Sequence, residues 1–462
     1  MRAFVLATAT ALVLASHPAA AGPAPAGLGG PPAVVALADQ LAAALGPPAD
    51  GRRAAALSVE TGSARLSAPL ASALDAALTA RGYVVTPLRG PADAEAAARA
   101  SGQDWLVRVQ ADLVPGRREL GAVAELVPTW ASFFLQQRPG ARAVPPRLVQ
   151  ARVEADGATL LLARTARPAG APFATLRPLA RVPGRVLALA VGEPGPPGRP
   201  AVVAVTADAV VVLSALGELV ARREVEASAR RPVRGESAVV VVADLGGGRI
   251  AFQHAGAAVA TVWALEGDRL VPVAALLSAP LCAGEGGTLF GAFAPGTGLL
   301  RDLLSASVDP SARPRSERML YGVAAAPRPG PITFAALGAD LRLELLAADL
   351  TPARAGAPGV PAVLERIGTG FALADLDGDG TAEVVASTAD PAGPEGLRVL
   401  SAYPGSPPLL ELGPLQGRIL SGAAGDLTGD GADDAVLGAV VEGDGPASTE
   451  LLLLTADPRE LP

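Results

Sequence analysis

Two stretches near the C-terminus share one frame. Residues 370–387 read GFALADLDGDGTAEVVAS and residues 422–440 read GAAGDLTGDGADDAVLGAV, with the leading aspartates Asp375 and Asp426 51 positions apart. Val242, Ala243 and Asp244, followed by Leu245 and three glycines, repeat the frame with only its first acid. Residues 187–203 (LALAVGEPGPPGRPAVV) repeat it more loosely, and residues 293–295 and 324–337 are fainter echoes. Short Val- and Leu-rich runs at 209–213, 258–264, 341–346 and 451–454 fill the intervals. A period near fifty, with several short strands and a turn in each unit, marks the blades of a β-propeller. One four-stranded unit cannot bury both of its faces, so neighbours stack around an axis. The spacing predicts about six units, or seven if residues 158–164 (ATLLLAR) supply a closing strand. The expected fold is therefore multi-domain: a small N-terminal α/β domain, then an all-β propeller of about six or seven blades.

Composition agrees with a folded chain poor in long helices. Half of the residues are apolar and only 18% are charged, which is too apolar to stay unfolded in water. The 53 glycines and 44 prolines interrupt nearly every long stretch, so extended helices do not fit. The formal net charge of −7, with no basic stripe, argues against nucleic acid as a partner. Cys282 is the single cysteine, which rules out an intramolecular disulfide and any multi-cysteine metal site.

Ahead of the repeats, the order of elements is different. Arg2, an apolar run over residues 3–15 and the small residues Ala19, Ala20 and Ala21 form the three parts of a secretory signal peptide, residues 1–21. A Pro/Gly linker follows at 22–32. The small α/β domain is expected over 33–150 and the propeller over 151–462. Val34, Leu37, Leu41 and Leu45 fall on one helical face, and residues 54–59 read as a buried strand. Ser67 is the expected N-cap of a second helix bearing Leu70, Leu74 and Leu78, closed by Gly82. A strand at 83–88, a helix at 92–100 and a hairpin from 105 to 127 complete the pattern. Trp130, Phe133 and Phe134 are expected to cap this core or dock it on the next domain. The stretches AAALSVETGSARLSAPLASALDAALTARGYVV and GQDWLVRVQADL resemble the N-terminal domain of periplasmic Tol-system propeller proteins, and a similar pattern occurs in curli-channel and flagellar-associated outer-membrane proteins. In those families the domain mediates protein contacts. No later segment predicts a membrane span: the most apolar, 270–283, contains Pro272 and Pro280.

The visible chemistry is that of a divalent cation. In residues 375–383 (DLDGDGTAE), acids stand at positions 1, 3, 5 and 9. Four carboxylates within nine residues repel one another unless a cation lies among them. Gly378 and Gly380 permit the tight turn, and the carbonyl of Thr381 adds a further oxygen. Hard oxygen ligands, six or more at about 2.4 Å, suit Ca²⁺ better than Mg²⁺, which keeps its waters. An EF-hand needs a bidentate acid at position 12, where Ala386 stands; Val384 and Val385 continue as a strand instead.

This pattern resembles the FG-GAP or VCBS-type repeat, the calcium-binding blade unit of integrin α-type propellers. The resemblance implies Asp375, Asp377, Asp379, Thr381 (through its carbonyl) and Glu383 as calcium ligands. It implies a second set in Asp426, Thr428, Asp430, Ala432 (carbonyl) and Asp434. Thr428 replaces an acid, so the second loop lacks one charge and should bind more weakly.

No catalytic constellation accompanies these loops. Once the leader is gone His254 is the only histidine, and neither a nucleophile elbow nor a metal-binding His pair stands near it. The expectation is an exported, non-catalytic binding scaffold, periplasmic or secreted, presenting loops to a protein or glycan partner in the cell envelope. Two alternatives are a hydrolase or lyase with its site in the propeller channel, and an envelope assembly factor like the Tol-system protein.

Overall fold

The structure, a computed structural model, describes residues 31–48, 53–88, 93–114, 119–129, 146–163, 172–225, 233–244, 248–284, 287–305, 319–328, 330–353, 363–388, 395–402, 406–441 and 446–456. The predicted leader, most of the linker, and Trp130, Phe133 and Phe134 lie outside the described residues. The chain divides between Asp156 and Gly157 into two compact units.

In the first unit, helix α1 (Pro32–Leu45) starts on a proline, whose missing N–H costs nothing in a first turn. Its buried face is the one the spacing predicts, with Val34, Leu37, Leu41 and Leu45 at 0–1% exposure. Each buried leucine contributes roughly 1.5–3 kcal/mol. Strand β1 (Ala54–Thr61) leads into α2 (Ala64–Thr79), β2 (Val84–Pro87), α3 (Ala94–Ala100), β3 (Trp105–Leu113), β4 (Glu119–Pro128) and β5 (Arg147–Glu154). These strands form one sheet in the order β2-β1-β3-β4-β5, parallel where β1 meets β2 and β3 and antiparallel beyond. Two local expectations are corrected. Ser67 lies inside α2, which begins three residues earlier, and its hydroxyl meets that of Thr61 at 2.6 Å. Strand β5 adds a fifth strand beyond the predicted hairpin, with Val149, Ala151 and Val153 alternating with Gln150, Arg152 and Glu154.

The second unit opens with a short helix, α4 (Gly157–Ala163), where residues 158–164 were a candidate strand. A seven-residue apolar run suits either state; here Thr159, Leu160 and Ala163 turn to one buried side. The remainder is all strand. A four-stranded sheet holds β7 (Val186–Gly192), β8 (Ala201–Thr206), β9 (Ala209–Ser214) and β10 (Leu219–Glu224). The next holds β11 (Ala238–Asp244), β12 (Gly248–His254), β13 (Ala260–Glu266) and β14 (Arg269–Leu276). A seven-stranded sheet follows: β15 (Ala279–Gly284), β16 (Gly287–Phe293), β17 (Leu300–Ser305), β18 (Leu320–Ala325), β19 (Phe334–Gly338), β20 (Leu343–Leu346) and β21 (Val363–Leu364). Among the described residues, the strand pairing between its halves is the single pair of Leu300 in β17 with Leu320 in β18. Then come β22 (Ile367–Ala374), β23 (Glu383–Thr388), β24 (Leu397–Leu400) and β25 (Leu410–Leu412).

The last sheet joins both ends of the unit. Strands β26 (Arg418–Gly425), β27 (Asp434–Val441) and β28 (Ser448–Thr455) take β6 (Thr175–Pro183) as their fourth member, antiparallel to β28. Strands β7, β11, β15, β18, β22 and β26 lie against one another in that order, and β26 returns to β7. This closed ring of first strands, with each sheet running outward from it, is the architecture of a β-propeller. Backbones approach closely there: a Cβ on Gly422 of β26 would stand 2.5 Å from the carbonyl oxygen of Phe371 on β22. The ring encloses a cavity of about 60 Å³, walled by Val191, Val242, Ala283, Ala325, Leu373 and Ala424 among others.

Candidate metal centre

In the two adjacent sheets that follow β21, the turn between first and second strands bears the acids. Residues 375–382 join β22 to β23, with Glu383 opening β23; residues 426–433 join β26 to β27, with Asp434 opening β27. In the first loop Gly380 N–H donates to Asp375 Oδ2 (3.1 Å), Leu376 N–H to Glu383 Oε2 (2.9 Å) and Thr381 N–H to Asp379 Oδ1 (2.7 Å). In the second, Gly431 N–H donates to Asp426 Oδ2 (3.2 Å), Leu427 N–H to Asp434 Oδ2 (2.9 Å) and Ala432 N–H to Asp430 Oδ1 (3.0 Å). These are the same three bonds at the same loop positions. The glycines match too: φ is 71° and 90° at Gly378 and Gly380, and 72° and 89° at Gly429 and Gly431. Left-handed backbone at two positions is why glycine recurs in both loops.

The first loop converges best on a single point. Oxygens of Asp375, Asp377 and Glu383 lie within 4.8 Å of one another. Asp375 is 2% exposed, and its Oδ1 is buried with no hydrogen-bond partner. A buried carboxylate oxygen left unpaired is costly, and a hard cation among these three acids would satisfy it. Asp379 is exposed and spends Oδ1 on Thr381, so it stands outside that trio. In the second loop Asp434 accepts from both Leu427 and Thr428, and the Thr428 hydroxyl faces Asp430 at 3.4 Å.

Electrostatics report the same crowding. Burial, then the charge of Asp377, pushes Glu383 up to about 9, although the bond from Leu376 pulls the other way. Burial raises Asp434 to about 7 against the hydrogen bonds from Thr455 and Thr428. Asp375 is raised as well, mainly by burial, with Gly380 and Arg328 opposing. A divalent ion would restore these groups to their charged forms.

Two residues of this neighbourhood escape a reading by spacing. Asp433, 1% exposed, accepts from Asp375 N–H through Oδ2 (2.9 Å) and returns its own N–H to the Asp375 carbonyl (3.0 Å). Arg328, just past β18, donates from Nε to Asp433 Oδ1 (2.9 Å), and its Nη2 stands 4.0 Å from Asp426 Oδ2. Burial nonetheless lifts Asp433 to about 6. The available signal was position 8, where Ala382 in one loop becomes Asp433 in the other.

The remaining candidates fall elsewhere. His254 is buried, with Nε2 2.8 Å from the Thr206 carbonyl oxygen and Phe252 edge-on to its ring. Cys282 lines the ring cavity, and burial pushes its thiol far above the ordinary range. The faint echo at 293–295 begins on the last residue of β16, so it is out of frame with the acidic loops, which follow first strands.

No family model matches the chain, and no curated protein matches it. Solved structures that resemble it include TolB from Acinetobacter baumannii, at 12% identity and a TM-score of 0.32, over 88% of this chain and 94% of that one. Another is BBS1N in complex with ARL6DN, soaked with mercury, at 10% identity and a TM-score of 0.34, over 76% and 92%. At such scores the ring of first strands, not either likeness, defines the architecture.

Proposed function

We propose that this chain is a non-catalytic, exported binding scaffold of the cell envelope, whose second unit is a six-bladed propeller stabilised by calcium and presenting loops to a protein or glycan. The blade count rests on the six first strands, with β15–β17 taken as one blade and β18–β21 as the next. Asp375, Asp377 and Glu383 would hold the first ion, aided by the Thr381 carbonyl and Asp379. Asp426, Asp430, Asp434, Thr428 and the Ala432 carbonyl would hold the second. One observation bears most of this reading: the buried, unpartnered Asp375 Oδ1 amid converging acids, in a loop frame that recurs in the next blade.

The bound ion supplies fold stability by binding the native state alone. At a calcium concentration a hundred times Kd, one site contributes about 2.7 kcal/mol. The described residues lining the cavities within the ring are mostly aliphatic, with Cys282 toward one end and Ser237, Tyr321, Thr369 and Ser421 toward the other. Thermal melts of the full chain in EGTA, in millimolar Mg²⁺ and in millimolar Ca²⁺ test the calcium. A clear rise with Ca²⁺ only is expected. No rise, together with metal analysis finding no bound ion, would sink the reading. For the scaffold itself, capture from envelope extracts should recover a stable partner, and activity profiling on phosphoesters, esters and glycans should find no turnover.

A further inference from the structure

We propose that Asp433 and Arg328 couple the two acidic loops, so that a cation entering either loop raises the affinity of the other. This rests on reading both loops as cation sites.

The connection runs through backbone as well as charge. Asp375 opens the first loop, and both its N–H and its carbonyl are held by Asp433, through Oδ2 and N–H respectively. Asp433 is joined by one peptide bond to Asp434, the last acid of the second loop. Its remaining oxygen takes the Arg328 Nε–H, whose guanidinium also reaches toward Asp426, the first acid of that loop. The turn containing Arg328 touches the first loop too: a Cβ on Gly330 would stand 3.1 Å from the Gly380 carbonyl oxygen. Fixing Asp375 around an ion therefore fixes Asp433, and with it both ends of the second loop. The ordering cost of the second event is then partly met by the first, which is positive coupling without a large structural change. Charge works the other way, since filling one loop weakens the negative field at its neighbour. Each loop carries four carboxylates, one of which in the second, Asp433, is paired with Arg328, so each stays anionic after taking a divalent ion. The mechanical link is thus not opposed by two net cations.

The test is calcium titration of the full chain by calorimetry, read loop by loop. Asp377→Ala disables the first loop and Asp430→Ala the second. Linkage requires that each disablement lower the affinity of the surviving loop by the same factor, expected near tenfold within the usual range of about 5–150 for coupled sites. In an Arg328→Met or Asp433→Asn background that factor should shrink toward one. Loss of a positive charge alone would raise both affinities and leave the factor intact, so the two effects separate. If Asp433→Asn does not fold, Arg328→Met with a circular-dichroism check still decides. Surviving-loop affinities that stay put or rise would overturn the coupling while leaving the calcium reading standing. A factor untouched by both background substitutions would overturn the role of Asp433 and Arg328. Absence of calcium binding in the unaltered chain would overturn both proposals together.

Discussion

The two acidic loops share a backbone and differ in cover. In the first, Asp379 and Gly380 face solvent; in the second, their counterparts Asp430 and Gly431 are buried. The cover is α4: a Cβ on Gly431 would overlap Leu160 of that helix, whereas one on Gly380 would meet nothing within 4 Å. The charges differ as well, with Thr428 in place of Asp377 and Asp433 in place of Ala382. What survives these changes is the set of three N–H bonds to carboxylates and the two left-handed glycines. The frame is therefore set by backbone geometry, while charge and cover are free to adjust ion affinity and exchange.

The largest effect that would break this comparison is steric. Gly431→Ala places a Cβ against the α4 backbone as well as forcing left-handed geometry on alanine. Overpacking of about 1–3 kcal/mol adds to left-handed strain of about 1–2 kcal/mol. Gly380→Ala should incur the strain alone. Urea melts in EGTA should rank Gly431→Ala well below Gly380→Ala, and equal losses would mean that α4 does not cap the second loop. Next is Asp377→Ala. In calcium at a hundred times Kd it should lose about 2.7 kcal/mol, and in EGTA close to nothing. Partner binding should persist, and a melting point unchanged in calcium would count against a structural ion.

A change of pH probes the acids of both loops at once. In calcium-free protein Glu383 titrates near 9 when folded against 4.5 for the ordinary group, and Asp434 near 7 against 3.8. Between those limits the native state holds more protons than the unfolded one. Stability should then be greatest below about pH 4 as far as these two groups are concerned, and fall as pH rises toward 9. Calcium binds the carboxylate forms, so at saturation the decline should flatten. Melts in EGTA across pH 5–9 that rise throughout would show these acids to be charged and satisfied without an ion.

Sequence reached some of this and missed the rest for identifiable reasons. The strand–loop–strand frame at Asp375 and Asp426 was legible because alternation and glycine placement are local. So was the α1 face of Val34, Leu37, Leu41 and Leu45. Strand β6 was not, since TLRPLARVP has little alternation and its partner β28 lies at the far end of the chain. The run at α4 was ambiguous because its few apolar residues fit both periods. The Arg328–Asp433 pair was out of reach, its members being 105 positions apart and brought together only by the packing of β18, β22 and β26 side by side.

The smallest net effect is the sharpest probe of charge. Thr428→Asp gives the second loop the acid that the first has at position 3. In EGTA it should destabilise by about 1 kcal/mol, because a hydroxyl facing Asp430 at 3.4 Å becomes a like charge beside Asp426, Asp430 and Asp434. In calcium the added carboxylate should raise affinity about tenfold, a gain of about 1.4 kcal/mol that offsets the loss. Melts in the two conditions should thus disagree in sign or nearly cancel in calcium, while Asp434 keeps its bond from the backbone N–H of residue 428. The same loss in EGTA and in calcium would mean that the second loop holds no ion. Its acids would then serve the backbone alone, and the likeness between the two loops would be one of shape without shared chemistry.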